Sequence, residues 1–308
     1  MGRGRVDYID TAKGLCMMFV VFVHIHFYFG NDYYGQTCLK SFYLPLFFLL
    51  SGLFFKSYGS FQNFLVRKTN TILIPFLFFF YTTSVLLTWG ISLLRGNNID
   101  WTLLWAYATP EHYPNLPLWF LICLFVQSIG FYLIFHLCKD GNKRGVMAIV
   151  ICVIGGLGIS LRKIGVNLPV QIDSAMSSLP FFFFGWLMSQ YKLLTIIEER
   201  TQRLRIVFIV LFYLISWLTC GEMNYQKNAF DLNPFFVYLS GTSGAISVIL
   251  LSKVLCKISF IKFIGRYSLM VLCTHQIVLQ GVLPIVRKFG LGNWLSMFLT
   301  LVIVLVSY

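Results

Sequence analysis

The chain has 308 residues, of which 58% are hydrophobic, 18% aromatic and 11% charged, and its mean hydropathy is +0.77. Soluble domains carry about 25% charged residues, so this composition excludes a soluble domain, a disordered chain, a collagen-like repeat and a secreted disulfide scaffold; it specifies a polytopic membrane protein. The net charge of +13 does not indicate a nucleic-acid partner, because the basic residues sit in short gaps between apolar runs.

Only helices and closed barrels satisfy their backbone groups inside a bilayer, and continuous apolar runs without strand-like alternation select helices. About ten runs follow one another along the chain: 11–30, 42–58, 71–94, 116–138, 145–161, 175–191, 206–222, 234–256, 268–286 and 294–308. The expected fold is all-α, a polytopic membrane bundle of about ten transmembrane helices in a single integral-membrane domain spanning 1–308. The last run is still apolar at Tyr308, so it reads either as a short terminal helix or as one cut short. The opening segment has the basic residues and apolar run of a signal peptide but lacks its small-residue cleavage site.

The basic residues set an orientation. If the N-terminus lies inside, the inner gaps hold Arg3, Arg5 and Lys13; Lys56, Arg67 and Lys68; Lys139, Lys143 and Arg144; Lys192, Arg200, Arg203 and Arg205; and Lys253, Lys257, Lys262 and Arg266. The outer gaps hold only Lys40, Arg95, Arg162, Lys163, Lys227, Arg287 and Lys288. Cytoplasmic loops carry the excess of Lys and Arg, so the expectation is a multi-pass protein with a cytoplasmic N-terminus. The eight cysteines show no CxxC or CxH pairing, and most lie in apolar runs. They read as small apolar fillers rather than a metal site or disulfide framework.

The charged residues fall in gaps or at helix ends, which singles out the ionisable residues at membrane depth: His24, His26 and His275, with Asp10 and Lys13 at the entrance of the first helix. Such residues mark functional sites by default, and a neutral imidazole accepts a proton near pH 7. Lys13 and His24 are eleven residues apart, about three turns, so they share a face roughly 16 Å apart along the axis. Asp10 falls near that face, and His26 points to nearly the opposite side. The stripe suits a ligand with an anionic head at the inner surface and a reactive end deeper in the protein. Each residue also has a plainer alternative: a membrane histidine bonded to a neighbouring helix, an interfacial His136, a solvated His112 in the loop 108–115, or Lys13 as a topological anchor.

These residues lie in segments that resemble the membrane acyltransferase-3 family, especially its bacterial sugar O-acetyltransferase branch. The first helix carries Arg5-Val-Asp-Tyr-Ile-Asp10-Thr-Ala-Lys13-Gly14, an apolar stretch over 15–23, and then His24. It is similar to the family's basic-x10-His opening, with Lys where many members have Arg. Pro45-Leu-Phe-Phe-Leu-Leu-Ser51-Gly52 resembles the family's "PLFFxxSG", and Leu118-Trp119-Phe120-Leu121 its "LWFL". Further matches are the aromatic run 181–184 with Gly185 ahead of Trp186, and Phe263-Ile-Gly265-Arg-Tyr-Ser268 leading to His275-Gln276. The matches run in order through nearly the whole chain. One departure is Thr71, which stands ahead of Pro75 where the family usually has another basic residue.

The resemblance implies an O-acyltransferase of the bacterial inner membrane. It would move an acyl group, usually acetyl, from acetyl-CoA to a hydroxyl of a cell-envelope glycan or lipid-linked sugar, without a metal. Cytoplasmic cations (Lys13, Arg67, Lys68) would meet the donor's phosphates, and His24 would serve as general base or acyl carrier. Asp10 would orient Lys13; Ser51 and His275 would donate to the developing oxyanion or fix an imidazole tautomer. Trp119 would stack on the sugar, with core packing as its plainer alternative, and His112 would contact the acceptor. The alternative function is a glycan or lipid transporter or flippase, for which Ser240-Gly-Thr-Ser-Gly244-Ala-Ile-Ser247 would form a broken helix at a binding site; close helix packing through small residues is the competing explanation of that stretch.

Overall fold

In the computed structural model, which describes residues 7–29, 34–108, 113–138, 143–193, 195 and 202–308, each of the ten apolar runs is a helix. They are α1 (Asp7–Phe29), α2 (Tyr34–Leu53), α3 (Phe61–Leu94), α4 (Trp119–Leu137), α5 (Arg144–Lys163), α6 (Ile172–Gln190), α7 (Gln202–Thr219) and α8 (Pro234–Leu255), followed by α9 (Ser259–Arg266), α10 (Ser268–Lys288) and α11 (Asn293–Val306). The eleventh, α9, is a short amphipathic helix in what the sequence presents as a gap between runs. Among the described residues, strands amount to the two-residue pair Met223–Asn224 and Ala229–Phe230.

Seven of the helices are long and apolar enough to cross a membrane: α1, α3, α4 (extended to Leu116), α5, α7, α8 and α10. α11, with 14 residues, is shorter. The helices α2 and α6 are long but carry buried polar residues, Gln36 and Ser41 in α2 and Asp173, Ser174, Ser177 and Ser178 in α6. Their polar groups lower the hydropathy while facing protein rather than lipid. Conversely, α7 buries Ser216 alone and leaves Ile206, Val207, Val210, Leu214 and Leu218 exposed. A helix that leaves this much apolar surface uncovered by protein belongs in lipid. The fold is an all-α polytopic membrane bundle.

The chain divides into two units. The first holds α1, α2 up to Phe47, α7, α8 from Phe235, and α9 to α11. Its tightest contact is α1 on α9, and glycine makes it: a Cβ on Gly14 would lie 2.0 Å from the Ile261 carbonyl oxygen, and one on Gly265 only 1.7 Å from that of Asp10. Each glycine lets the other helix's backbone reach van der Waals contact, the small-residue packing of membrane helices. α8 is continuous across the serine- and glycine-rich stretch that the transporter alternative reads as a break. Gly244 admits the Phe42 ring, where a Cβ would meet it at 2.5 Å, and Ser247 donates to the Ile209 carbonyl at 2.9 Å. Close packing accounts for that stretch.

The second unit holds α2 from Phe48, α3 to α6, and residues 224–234. Here Gly52 of α2 and Gly185 of α6 repeat the device, their built Cβ atoms lying 1.8 Å from the Phe182 oxygen and 1.9 Å from the Leu49 oxygen. An aromatic core of Phe131, Phe182, Phe183 and Trp186 with Met147, Ile151 and Leu179 fills the space beside them, and a buried Gln127–Ser178 hydrogen bond of 2.8 Å ties α4 to α6. The long α3 contains two π-helical stretches, Thr69–Leu73 and Phe80–Leu86. The first lies just ahead of Pro75, which has no N–H to continue the ladder; there the Ile74 N–H reaches back to the Thr69 carbonyl.

Candidate functional site

The first helix carries the predicted stripe without interruption, so Lys13 and His24 stand on one continuous helix of 23 residues, both half-buried. Around His24 the chain assembles a polar group from one turn of α1 and one face of α10. The His24 Nδ1 lies 3.2 Å from the Gln276 Oε1, and the Gln276 amide Nε2 donates to the Tyr28 hydroxyl at 2.8 Å. Since the amide nitrogen faces Tyr28, its carbonyl faces His24. The imidazole nitrogen at that carbonyl carries the hydrogen. Neutral His24 is thereby the Nδ1–H tautomer, and its lone pair is at Nε2. The far end of this group is anchored by Arg287, which donates to the Tyr28 carbonyl at 2.8 Å.

His275 lies against His24, ring centroids 5.0 Å apart and edge to face. It is fully buried. Its Nδ1 sits 2.8 Å from the Val271 oxygen and 2.9 Å from that of Leu272. Carbonyls only accept, so Nδ1 carries the hydrogen and the neutral ring presents a lone pair at Nε2. That atom is buried and has no hydrogen-bond partner among the described residues. In this tautomer His275 can receive a hydroxyl proton but has no N–H left to donate to an oxyanion. His26 is buried on another side of α1, its ring 6.2 Å from that of Phe22.

At the start of α1, Asp10 is 4% exposed and pairs with Arg266 of α9 at 3.5 Å. Asp7 pairs with Lys262 at 3.0 Å and with Arg266 at 4.0 Å. The glycine contact described above brings these cations to the α1 backbone. Lys253 places its ammonium 4.7 Å from the centre of the Tyr8 ring. A surface cavity of about 390 Å³, lined by Ser259, Phe260, Lys262, Phe263 and Arg266, opens on α9 at this end of α1. The first helix thus links a basic, cavity-bearing end at Asp10 to a histidine pair about four turns further along.

The remaining sequence-predicted residues belong to the second unit. Ser51 is half-buried one residue before the Gly52 contact. Arg67 is exposed and Lys68 half-buried, with the Lys68 ammonium 5.6 Å from the Phe64 ring centre. They form the last turn before the first π-helical stretch, where such irregular turns often accompany function. Thr71, at the position where the family has a cation, uses its hydroxyl on the Arg67 carbonyl at 2.8 Å. Trp119 is buried in the first turn of α4, edge-on to Phe120. His112 lies outside the described residues, as do Arg3, Arg5, Lys139 and Arg200.

Two functional candidates are given no role by the sequence: Gln276, which appears there only as the end of the matched His275-Gln276 segment, and Tyr28. Their signal is the helical spacing of His24 and Tyr28, one turn apart on α1, which lets a single amide on α10 bridge both. Arg266 and Lys262 count toward topology in the sequence, and only α9 reveals them as partners of the aspartates.

A family model described as an acyltransferase domain matches residues 6–308, essentially the whole chain. No curated protein and no solved structure matches.

Proposed function

The chain belongs to the acyltransferase-3 family, a membrane acyltransferase by that membership, and we propose that it moves an acetyl group from acetyl-CoA to a hydroxyl of a cell-envelope glycan or lipid-linked sugar. The observation that carries the chemical part of this reading is the His24–Gln276 hydrogen bond. It leaves the imidazole lone pair at Nε2, the state a general base needs. The donor supplies an activated thioester. His24 Nε2 takes the hydroxyl proton as the sugar oxygen bonds to the acyl carbon, the carbon–sulfur bond breaks, and the proton passes to the departing thiolate. Gln276 accepts from Nδ1–H throughout and is best matched to the imidazolium that forms midway. A base positioned in this way contributes roughly 10²–10⁴-fold.

Lys13 meets the phosphates of the donor, and the cavity on α9 supports the same end of α1 as the entrance for an anionic head group. His275 Nε2 offers a second acceptor beside the reacting hydroxyl. The 17 basic residues assigned inside against 7 outside support a cytoplasmic N-terminus, and the resemblance to bacterial sugar O-acetyltransferases supports a bacterial inner membrane. That orientation has the donor enter from the cytoplasm and the acceptor meet His24 in the outer half. The test is label transfer from [acetyl-³H]acetyl-CoA to the glycan fraction of membranes carrying the protein. Transfer above protein-free membranes is expected; its absence, with the protein present and folded, overturns the reading.

A further inference from the structure

The outer ends of α2 and α7 meet in a register that a chain of polar contacts fixes. Ser240 of α8 donates to the Ser41 hydroxyl at 2.8 Å, and Ser216 of α7 donates to the Ser240 carbonyl at 2.9 Å. One turn before Ser41 on α2 stands Cys38, and one turn after Ser216 stands Cys220. One step further out, Thr37 donates to the Glu222 carboxylate at 2.7 Å and Lys40 approaches it to 3.9 Å. Rising numbers on α2 thus meet falling numbers on the α7 side, as antiparallel neighbours require, and the register sets Cys38 opposite Cys220. The Cys220 thiol donates to the Trp217 carbonyl of its own helix at 3.2 Å, and Cys220 and Ser216 are the side chains that act on the Cys38 thiol. Both are free thiols, Cys38 buried and Cys220 half-buried.

We propose that Cys38 and Cys220 are a disulfide-forming pair on the outward side of the membrane, closing the start of α2 onto the end of α7. The pair departs from the reading of the cysteines as apolar fillers: the register sets two residues far apart in sequence opposite each other. The proposal rests on the orientation given above, in which both ends face the compartment where disulfides persist. The oxidant is a thiol–disulfide oxidoreductase in its disulfide form. The more accessible Cys220 attacks the carrier's disulfide as thiolate, giving a mixed disulfide and one carrier thiol. Cys38, also as thiolate, displaces the carrier; the protein S–S bond forms, and two electrons and two protons leave on the carrier as a dithiol. Among the described residues, the hydrogen bonds of the His24 and Gln276 side chains run to each other and to Tyr28, not to either thiol.

The experiment uses the full chain in native membranes. Free thiols are blocked with N-ethylmaleimide under denaturing conditions, disulfides are then reduced, and the released thiols are tagged with maleimide-polyethylene glycol. Two tags are expected on the wild type and on a Cys152→Ser control, and none on Cys38→Ser or Cys220→Ser. An untagged wild type, even after incubation with oxidised glutathione, overturns the pair; so do tags that survive in both single variants. Treating spheroplasts with a membrane-impermeant phosphine before blocking separates the pair from the orientation. Loss of the tags supports both, whereas tags lost only to a permeant reductant leave the bond in place and overturn its outward location.

Discussion

Replacing Gly265 by alanine gives the sharpest structural test of the α1–α9 contact. The new Cβ would lie 1.7 Å from the Asp10 carbonyl oxygen and 2.9 Å from the Gly14 nitrogen, and both obstacles are backbone. Nine in ten real Cβ contacts are longer than 3.4 Å, so the helices must part by roughly 1.5 Å, since no flexible side chain is there to yield. Overpacking of this kind costs about 1–3 kcal/mol, against a gain of up to ~1 kcal/mol from helix propensity. Separation also pulls Arg266 and Lys262 from Asp10 and Asp7, adding to the loss. The expected melting temperature is lower by roughly 2–5 °C in a detergent thermal-unfolding assay. Gly281→Ala is the control: it lies on α10 with nothing within 4 Å of a built Cβ, and should be neutral or slightly stabilising. If Gly265→Ala is as stable as Gly281→Ala, the contact between the two backbones is not as close as described.

Three further outcomes follow from the same geometry. Gln276→Met removes the acceptor from His24 Nδ1 and, at ~1.5–3 kcal/mol for a hydrogen bond to a group that becomes charged, should lower kcat roughly 10–100-fold while the acetyl-CoA KM stays within about threefold. Gln276→Glu keeps an acceptor at that position and should recover most of the loss; equal failure of both variants would mean that packing, not tautomer control, is what the residue supplies. In the second unit, Gly52→Ala and Gly185→Ala should each reduce thermal stability, and the double variant should cost less than their sum, because either Cβ already forces α2 and α6 apart. A strictly additive double-mutant cycle would argue against a shared contact.

The helices were legible because lipid demands continuous apolar runs: all ten expected runs correspond to helices. What escaped was whatever buries polar surface in protein. α2 begins at Tyr34, well before the apolar run at 42, because Gln36 and Ser41 are buried against neighbours and so break the hydropathy without breaking the helix. α9 escaped because eight residues with only Ile261, Ile264 and Gly265 buried leave too short a pattern to stand out between two long runs. The matched segments around Gly14, Gly52, Gly185 and Gly265 signalled a family, while their physical role, backbone contact between helices, depends on which glycine faces which carbonyl. At the site, the eleven-residue spacing placed Lys13 and His24 correctly on one helix. The partner of His24 depended on a contact 252 residues away, and no local pattern encodes that.

The proposed role of His24 as the base for acyl transfer is tested by label transfer from acetyl-CoA in membranes carrying His24→Ala at wild-type protein levels. Loss of turnover by at least 10²-fold, with acetyl-CoA still protecting the variant from thermal unfolding, is the predicted result; turnover equal to the wild type would contradict it.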